Sequence, residues 1–352
     1  MARRKTRVNA LKDALLPAHD HSATSPAGLR RRAFIALLGG AAAWPLAASS
    51  SAGQQSGAGK PRVGVLEPYA AADPGYRMRE ALRDVGLEEG RDLTVEWRYA
   101  ESETARIPAL AAELAQLKLD AIVAIGDVAI QAVRQAAPMT PIIAGTDDLV
   151  GEGHAASLNR PGGNVTGISI MASELNAKRL ELLKEAVPSA SRVLVLWDPA
   201  TGTFHLPLLR SVAEALGAQL EVQEVRQRED LQGAFDKAQS WRAKAVNVLA
   251  SPLLHALRQP IIDGAAVHRL PAIYQWEESA RAGGLMSYGP FRRDVYQAIA
   301  RQLVRVLKGT PPAQLPVEQP AKFELVINLK TAKALGLEIP PTLLARADAV
   351  IE

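Results

Sequence analysis

The chain contains no cysteine. That excludes disulfides, cysteine-based zinc or iron–sulfur centres, a thiol nucleophile and a lipidated cysteine. It suits an oxidising compartment without requiring one. Aromatic residues make up only 5% of the 352 residues, so any gathering of them carries weight. Catalytic signatures are missing too. Gly162-Gly163 is followed by no Lys-Ser/Thr pair, no G-x-G-x-x-G follows a strand pattern, and there is no G-x-S-x-G elbow. The histidines of the body (His154, His205, His255 and His268) are scattered without an i, i+4 pair suited to a metal. No cofactor and no metal are therefore expected. With 48% hydrophobic and 22% charged residues, the chain is neither fully disordered nor a collagen-like fibre nor a coiled coil. Its length suits two ordinary domains or one large one.

The body also lacks an excess of positive charge, although the formal total is +4. Residues 1–52 carry eight basic side chains against Asp13 and Asp20, which leaves the remainder at −2. Nucleic-acid binding thereby loses its main electrostatic support. The leader reads as an export signal. Arg30-Arg31-Arg32-Ala33-Phe34-Ile35 opens an apolar run over 33–48, and Ser50-Ser51-Ala52 offers a cleavage site. The run is too short and glycine-interrupted to span a bilayer. Paired arginines before Phe-Ile match the twin-arginine export type. Residues 1–29 form a long polar extension and 53–60 a Gly/Ser/Gln linker. No later run has spanning length, and no Cys follows the apolar run. The expected product is soluble, periplasmic and not a lipoprotein.

After the linker, continuous apolar strands alternate with helical patterns. Val63-Gly64-Val65-Leu66, the run 121–125 and the run 141–144 read as strands buried on both faces. Ile107, Leu110, Ala111 and Leu114 lie on one helix face, with Thr104 as a plausible cap. The same order then recurs. The strand at 192–197 answers 62–66, 220–225 answers 93–97, 245–249 answers 121–125, and Pro271-Ala272-Ile273 answers Pro141-Ile142-Ile143. The spacing is nearly constant, and a single open sheet of that many parallel strands is unusual. The pattern predicts an α/β protein of two Rossmann-like lobes with parallel sheets. Lobe 1 would take 61–170 plus 290–322, and lobe 2 would take 171–289 plus 323–352. Glycine-flanked strands at 162–168 and 283–289 read as crossovers. Chain crossings near 170, 290 and 322 would form a three-segment hinge.

Several segments carry a resemblance: Leu158-Asn159-Arg160-Pro161-Gly162-Gly163-Asn164-Val165-Thr166-Gly167, Lys178-Arg179-Leu180-Glu181-Leu182-Leu183-Lys184, His268-Arg269-Leu270-Pro271-Ala272-Ile273-Tyr274, residues 283–289, and Phe323-Glu324-Leu325-Val326-Ile327-Asn328. Over about residues 30–352 the chain resembles an ABC-transporter family of extracytoplasmic solute-binding proteins, the group that includes tryptophan- and tyrosine-binding lipoproteins. The resemblance implies a type I periplasmic-binding-protein fold. It also implies delivery of a small solute to a membrane permease driven by a separate ATPase. The lipobox Cys of some relatives is missing, so membrane tethering is not carried over. Relatives often place a small hydroxyl residue where this chain has Asp127.

In open α/β sheets ligands bind beyond the carboxyl ends of the strands. Reading the residues there gives Tyr69, Gly126, Asp127, Thr146 and Asp147 from the first lobe. The second gives Asp198, Ser251, Tyr274 and Trp276, and the crossover adds Ser287. Tyr69, Tyr274 and Trp276 can stack on a planar group or attract a cation. Trp276 also suits the core of the helix that follows it. Asp127 and Asp147 can accept from a ligand ammonium, while Asp127 equally suits an N-cap for a helix over 128–137. An aspartate there argues against an anionic ligand at that helix, although its backbone N–H groups can hold a carboxylate. Asp198-Pro199 is turn chemistry first, and Thr146 and Ser251 are caps or hydrogen-bonding groups. His268 reads as a helix C-terminus and Arg292-Arg293 as a solvated helix start or a partner contact.

Three functions compete. A solute-binding protein closing on an amino acid or aromatic compound needs no catalytic groups. An exported α/β enzyme would need Asp127, Asp147 and Asp198 as acid and base with separated pKa values. A sugar-responsive repressor would need an N-terminal helix-turn-helix where the arginine-rich leader stands.

Overall fold

Val63, Val65 and Leu66 are buried on both faces of the strand they share, and that strand lies inside a sheet with a neighbour on each side. The computed structural model describes residues 59–71 and 77–352. The expected export leader, its expected cleavage site and the polar extension lie outside the described residues. In chain order the first half contains β1 (Arg62–Glu67), α1 (Met78–Asp84), β2 (Thr94–Tyr99), α2 (Ile107–Ala115), β3 (Ala121–Ile125), α3 (Asp127–Ala136), β4 (Ile142–Thr146) and β5 (Val165–Ser169). The second half contains α4 (Ala172–Ala186), β6 (Arg192–Trp197), α5 (His205–Ala215), β7 (Gln219–Glu224), α6 (Asp230–Ser240), β8 (Ala245–Val248), α7 (Pro252–Ala256), α8 (Arg258–Val267), β9 (Ala272–Tyr274), α9 (Glu277–Arg281) and β10 (Met286–Pro290). The chain closes with α10 (Arg292–Leu307), β11 (Phe323–Asn328), α11 (Leu329–Leu335), α12 (Pro341–Leu344) and β12 (Ala349–Ile351).

Two sheets result. The first runs β2-β1-β3-β4-β5 and is parallel throughout, with Val63 opposite both Val95 and Ala121. The second runs β12-β11-β10-β9-β8-β6-β7, and its only antiparallel pair is β10 with β11. Strands β6 to β10 therefore repeat the order of β1 to β5, which is the doubled α/β pattern in space. Helices cover both faces of each sheet, so the strands read as continuous apolar runs. On the first sheet Met78, Leu82, Val295, Ile299 and Leu303 from α1 and α10 cover one face. Leu110, Leu114, Ile130 and Val133 from α2 and α3 cover the other. On the second, Leu180, Leu183 and Leu209 face Phe235, Ile261 and Ala265 across the sheet. Each such fully buried Leu or Ile contributes about 1.5–3 kcal/mol. Gly167 shows how closely β5 meets β4. Its φ is +142°, and a Cβ there would stand 1.9 Å from the Ala144 carbonyl oxygen.

The chain passes between the sheets three times: from β5 into α4, from β10 into α10, and from the segment bridged to the first sheet at Ile168–Glu318 into β11. Local details differ from the sequence reading at the start of α2. Thr104 does not cap α2. It opens a 3-10 turn over Thr104–Arg106 that runs directly into the helix, where Pro108 occupies the first turn. His268 does terminate α8 as its C-cap.

Candidate functional site

The two sheets present the carboxyl ends of their strands to one cleft. After β1 come Pro68 and Tyr69, which line it. Tyr69 is buried, meets His255 of the opposite lobe edge-on at 5.6 Å between ring centroids, and has the Arg292 guanidinium 5.4 Å from its ring centre. Glu67, the last residue of β1, is held away in a buried ion pair with Arg77, at 2.5 Å to Nη2 and 2.9 Å to Nε.

After β3 the chain needs a positive φ, +88° at Gly126, and Gly126 rather than Asp127 becomes the N-cap of α3. The expected Asp127 cap is not formed. As the first helical residue, Asp127 already has helical backbone angles, so its side chain points outward instead of folding over the following N–H groups. Its Oδ1 instead takes a 2.6 Å hydrogen bond from His154 Nε2. His154 Nδ1 lies 2.9 Å from Arg134 Nη1. A guanidinium only donates, so Nδ1 is the acceptor and the ring proton sits on Nε2, facing Asp127.

After β4, Thr146 Oγ1 donates to Glu152 Oε2 at 2.8 Å, and the backbone N–H of Asp148 donates to Glu152 Oε1 at 3.2 Å. Burial, then repulsion from Asp147, pushes the Glu152 carboxyl up to about 9. The Asp147 carboxylate accepts no hydrogen bond from a described residue, and its nearest basic neighbour is His205 Nε2 at 3.7 Å. Burial pushes it up to about 7, opposed by Arg179 and reinforced by Asp127 and Asp198.

On the facing rim, Asp198 caps a 3-10 turn by accepting from the Ala200 N–H at 2.9 Å, and its other oxygen accepts from Ser251 Oγ at 2.6 Å. Ser251 is itself the N-cap of α7, accepting from the Leu254 N–H at 3.2 Å. Trp276 stands between β9 and α9. It does not pack into the helix that follows; it joins a buried apolar cluster with Tyr69, Ile125, Ile170 and Tyr296 of the other lobe.

Eight of the ten residues read from strand ends thus line the cleft: Tyr69, Gly126, Asp127, Thr146, Asp147, Asp198, Ser251 and Trp276. Tyr274 and Ser287 do not. Side chains alternate along β9, and Tyr274 falls on the same face as Ala272, inside the packing against α6 and α8. It borders a separate cavity of about 280 Å³ in that lobe. Ser287 is buried mid-strand, opposite Tyr274 and Val326, because β10 continues to Pro290 instead of ending at the serine.

Other cleft residues escaped the sequence reading. Arg292 is buried, not solvated; its Nη1 donates to Glu278 Oε1 and to His255 Nε2, each at 3.1 Å. Glu152 comes from the loop after β4, and Tyr296 and Ile299 come from α10. The histidines are not all isolated either. Asp127, Glu152 and His154 bring one ligand atom each within 4.8 Å of one another. That donor set is spent, however: His154 Nε2 carries its proton to Asp127, and the Glu152 oxygens serve Thr146 and Asp148.

Two α/β rims thus face one another across a cleft lined by apolar, aromatic and polar side chains, the kind of concave site in which small molecules bind. The sequence model of the family described as ABC transporter substrate binding protein matches residues 73–351. The chain belongs to that family. Among curated relatives of this ABC substrate-binding protein, a tyrosine-binding protein of Clostridioides difficile (strain R20291) is 27% identical over 263 residues, covering 74% of this chain and 75% of the other. Among solved structures, an ABC domain from Streptococcus pneumonia in complex with L-Trp superposes with a TM-score of 0.76 at 22% identity, over 83% of this chain and 100% of the other. A conserved domain protein from Vibrio cholerae o1 biovar eltor gives 0.75 at 24% identity, with the same coverage. Both structures share the two-lobed fold. Among the described residues no helix is long and apolar enough to cross a membrane.

Proposed function

We propose that this chain is the extracytoplasmic solute-binding component of an ABC importer. It captures a small organic solute, an amino acid or aromatic compound, between its lobes and delivers it to a membrane permease driven by a separate ATPase. The observation that carries this reading is the shared lining: Tyr69 from one lobe and Trp276 from the other meet in one buried cluster beside the polar rim. A solute seated there contacts both lobes at once, so binding favours the closed arrangement over the open one. The ligands named for the C. difficile and S. pneumonia relatives, tyrosine and L-Trp, are aromatic amino acids, and they set the first compounds to try.

Protein purified from rich medium is expected to release a small molecule in native mass spectrometry. Adding that molecule at 100 times its dissociation constant should stabilise the fold by about 2.7 kcal/mol. Tyr69→Ala and Trp276→Ala should each weaken binding at least tenfold in calorimetry. Unchanged affinity in both variants would remove the aromatic cleft. An enzymatic role for the cleft carboxylates predicts something else: turnover of the bound solute, abolished in Asp127→Asn. Asp198 is poorly suited to such work, since both its oxygens are committed to Ala200 and Ser251.

A further inference from the structure

We infer that the cleft selects an organic amine with no carboxylate beside the amino group, and that Asp127 is the residue that decides it. This rests on the cleft being the solute site, as proposed above.

A free carboxylate in such a cleft is ordinarily received by the N-terminus of a helix, where unpaired N–H groups and the helix dipole favour negative charge. The helix that offers its N-terminus here is α3, ten residues long, and Gly126, Asp127, Val128 and Ala129 all line the cleft. Its first residue places a carboxylate of its own at that end. His154 grips Oδ1 at 2.6 Å and is itself fixed by Arg134, so the side chain is braced and cannot easily swing aside. Oδ2 accepts no hydrogen bond from a described residue, and Asp127, with a side chain 24% exposed, is more open than Glu152 at 5% or Asp147 at 12%. An incoming carboxylate would therefore meet a fixed negative oxygen where it needs donors. An incoming ammonium would meet an open acceptor.

The surroundings agree. Among the described residues lining the cleft, the acidic side chains are Asp127, Asp147, Glu152 and Asp198, and the basic one is Arg292, which already engages Glu278. Burial first, and then repulsion from neighbouring carboxylates, raises Glu152 to about 9 and Asp147 to about 7. A cation in the cleft relieves that repulsion, and an anion adds to it.

The test uses matched sets of three compounds on the full-length exported protein, by calorimetry and thermal shift. Each set holds an amine, its α-amino acid and the acid lacking the amino group: tyramine, tyrosine and 3-(4-hydroxyphenyl)propanoate, for example, and the corresponding indole set. The amine should bind at least tenfold more tightly than its amino acid, with the acid weakest. Asp127→Asn should cost the amine at least tenfold. Asp127→Ser, which uncovers the α3 N–H groups, should bring the acid up at least tenfold and so reverse the order. The acid or the amino acid binding most tightly to the unaltered protein overturns this inference and leaves the cleft reading standing, as does an amine indifferent to both substitutions. No binding by any member of either set overturns the aromatic cleft reading, and the amine selection with it.

Discussion

At the scale of the residue, position within a turn decides what a side chain does. Asp127 differs from a capping aspartate by one place. With Gly126 taking the cap, the carboxylate is released from the backbone and handed to His154. Asp198 and Ser251 show the reverse: both do turn and cap work, and each completes the other's hydrogen bonding. Asp147 and Glu152 are the costly members of the site, and their titration has a direction. Their folded pKa values, about 7 and about 9, lie above the ordinary carboxylate range. The folded state thus holds protons that the unfolded chain releases. The associated stability is complete at acid pH and is lost as pH rises through those values. In the ligand-free protein the Tm should fall between about pH 5 and pH 9, and Asp147→Asn combined with Glu152→Gln should flatten that fall by a few degrees. Glu324, pushed up to about 7 by burial and acidic neighbours, adds to the slope in both proteins, so the comparison isolates the cleft pair. Parallel slopes would show that these two carboxyls do not titrate as described.

At the scale of the element, the strands were legible because burial on both faces leaves them uniformly apolar. Val63 to Leu66 and Ala121 to Ile125 admit no polar residue. Edge strands carry a weaker signal: β2 and β7 are half exposed and alternate. Their ends are set by backbone geometry that composition does not record. Ser287 was misplaced because β10 outlasts the residues that look like its end, and Tyr274 because the direction of a strand's last side chain depends on register. The approach of β5 to β4 yields a sharp expectation. Gly167→Ala would drive a Cβ into the Ala144 backbone, and the variant should yield little soluble protein, or a Tm lower by many degrees, in a melt of the purified fraction. A variant as stable as the parent would mean that β5 does not sit in this register.

At the scale of the whole molecule, three chain crossings join two sheets that repeat one strand order. Three connections permit rotation of one lobe against the other but resist twisting, which suits closure on a solute. Residues from both lobes already touch, Tyr69 with His255 and Trp276 within the cluster around Ile125 and Tyr296. Binding should therefore shift the lobes toward closure. Small-angle scattering of the solute-loaded protein is expected to give a smaller radius of gyration than the same protein stripped of solute. Equal radii, with binding verified in the same sample, would count against a moving hinge.

Burial periodicity made the doubled α/β plan readable from the amino-acid order, because a strand covered on both sides has little choice of residue. Strand-end logic located most of the cleft rim for a related reason: the loops after parallel strands must lie together. Arg292, Glu152 and His154 were not readable in that way. Arg292 and Glu152 reach the cleft from a crossover helix and a loop, with His154 behind Asp127, and a polar residue in such places looks the same in sequence whether it faces solvent or is buried against a partner. Only the folded chain, by bringing Arg134, His154 and Asp127 into one line of hydrogen bonds, determined which carboxylate stands braced at the helix end with an oxygen left to bind.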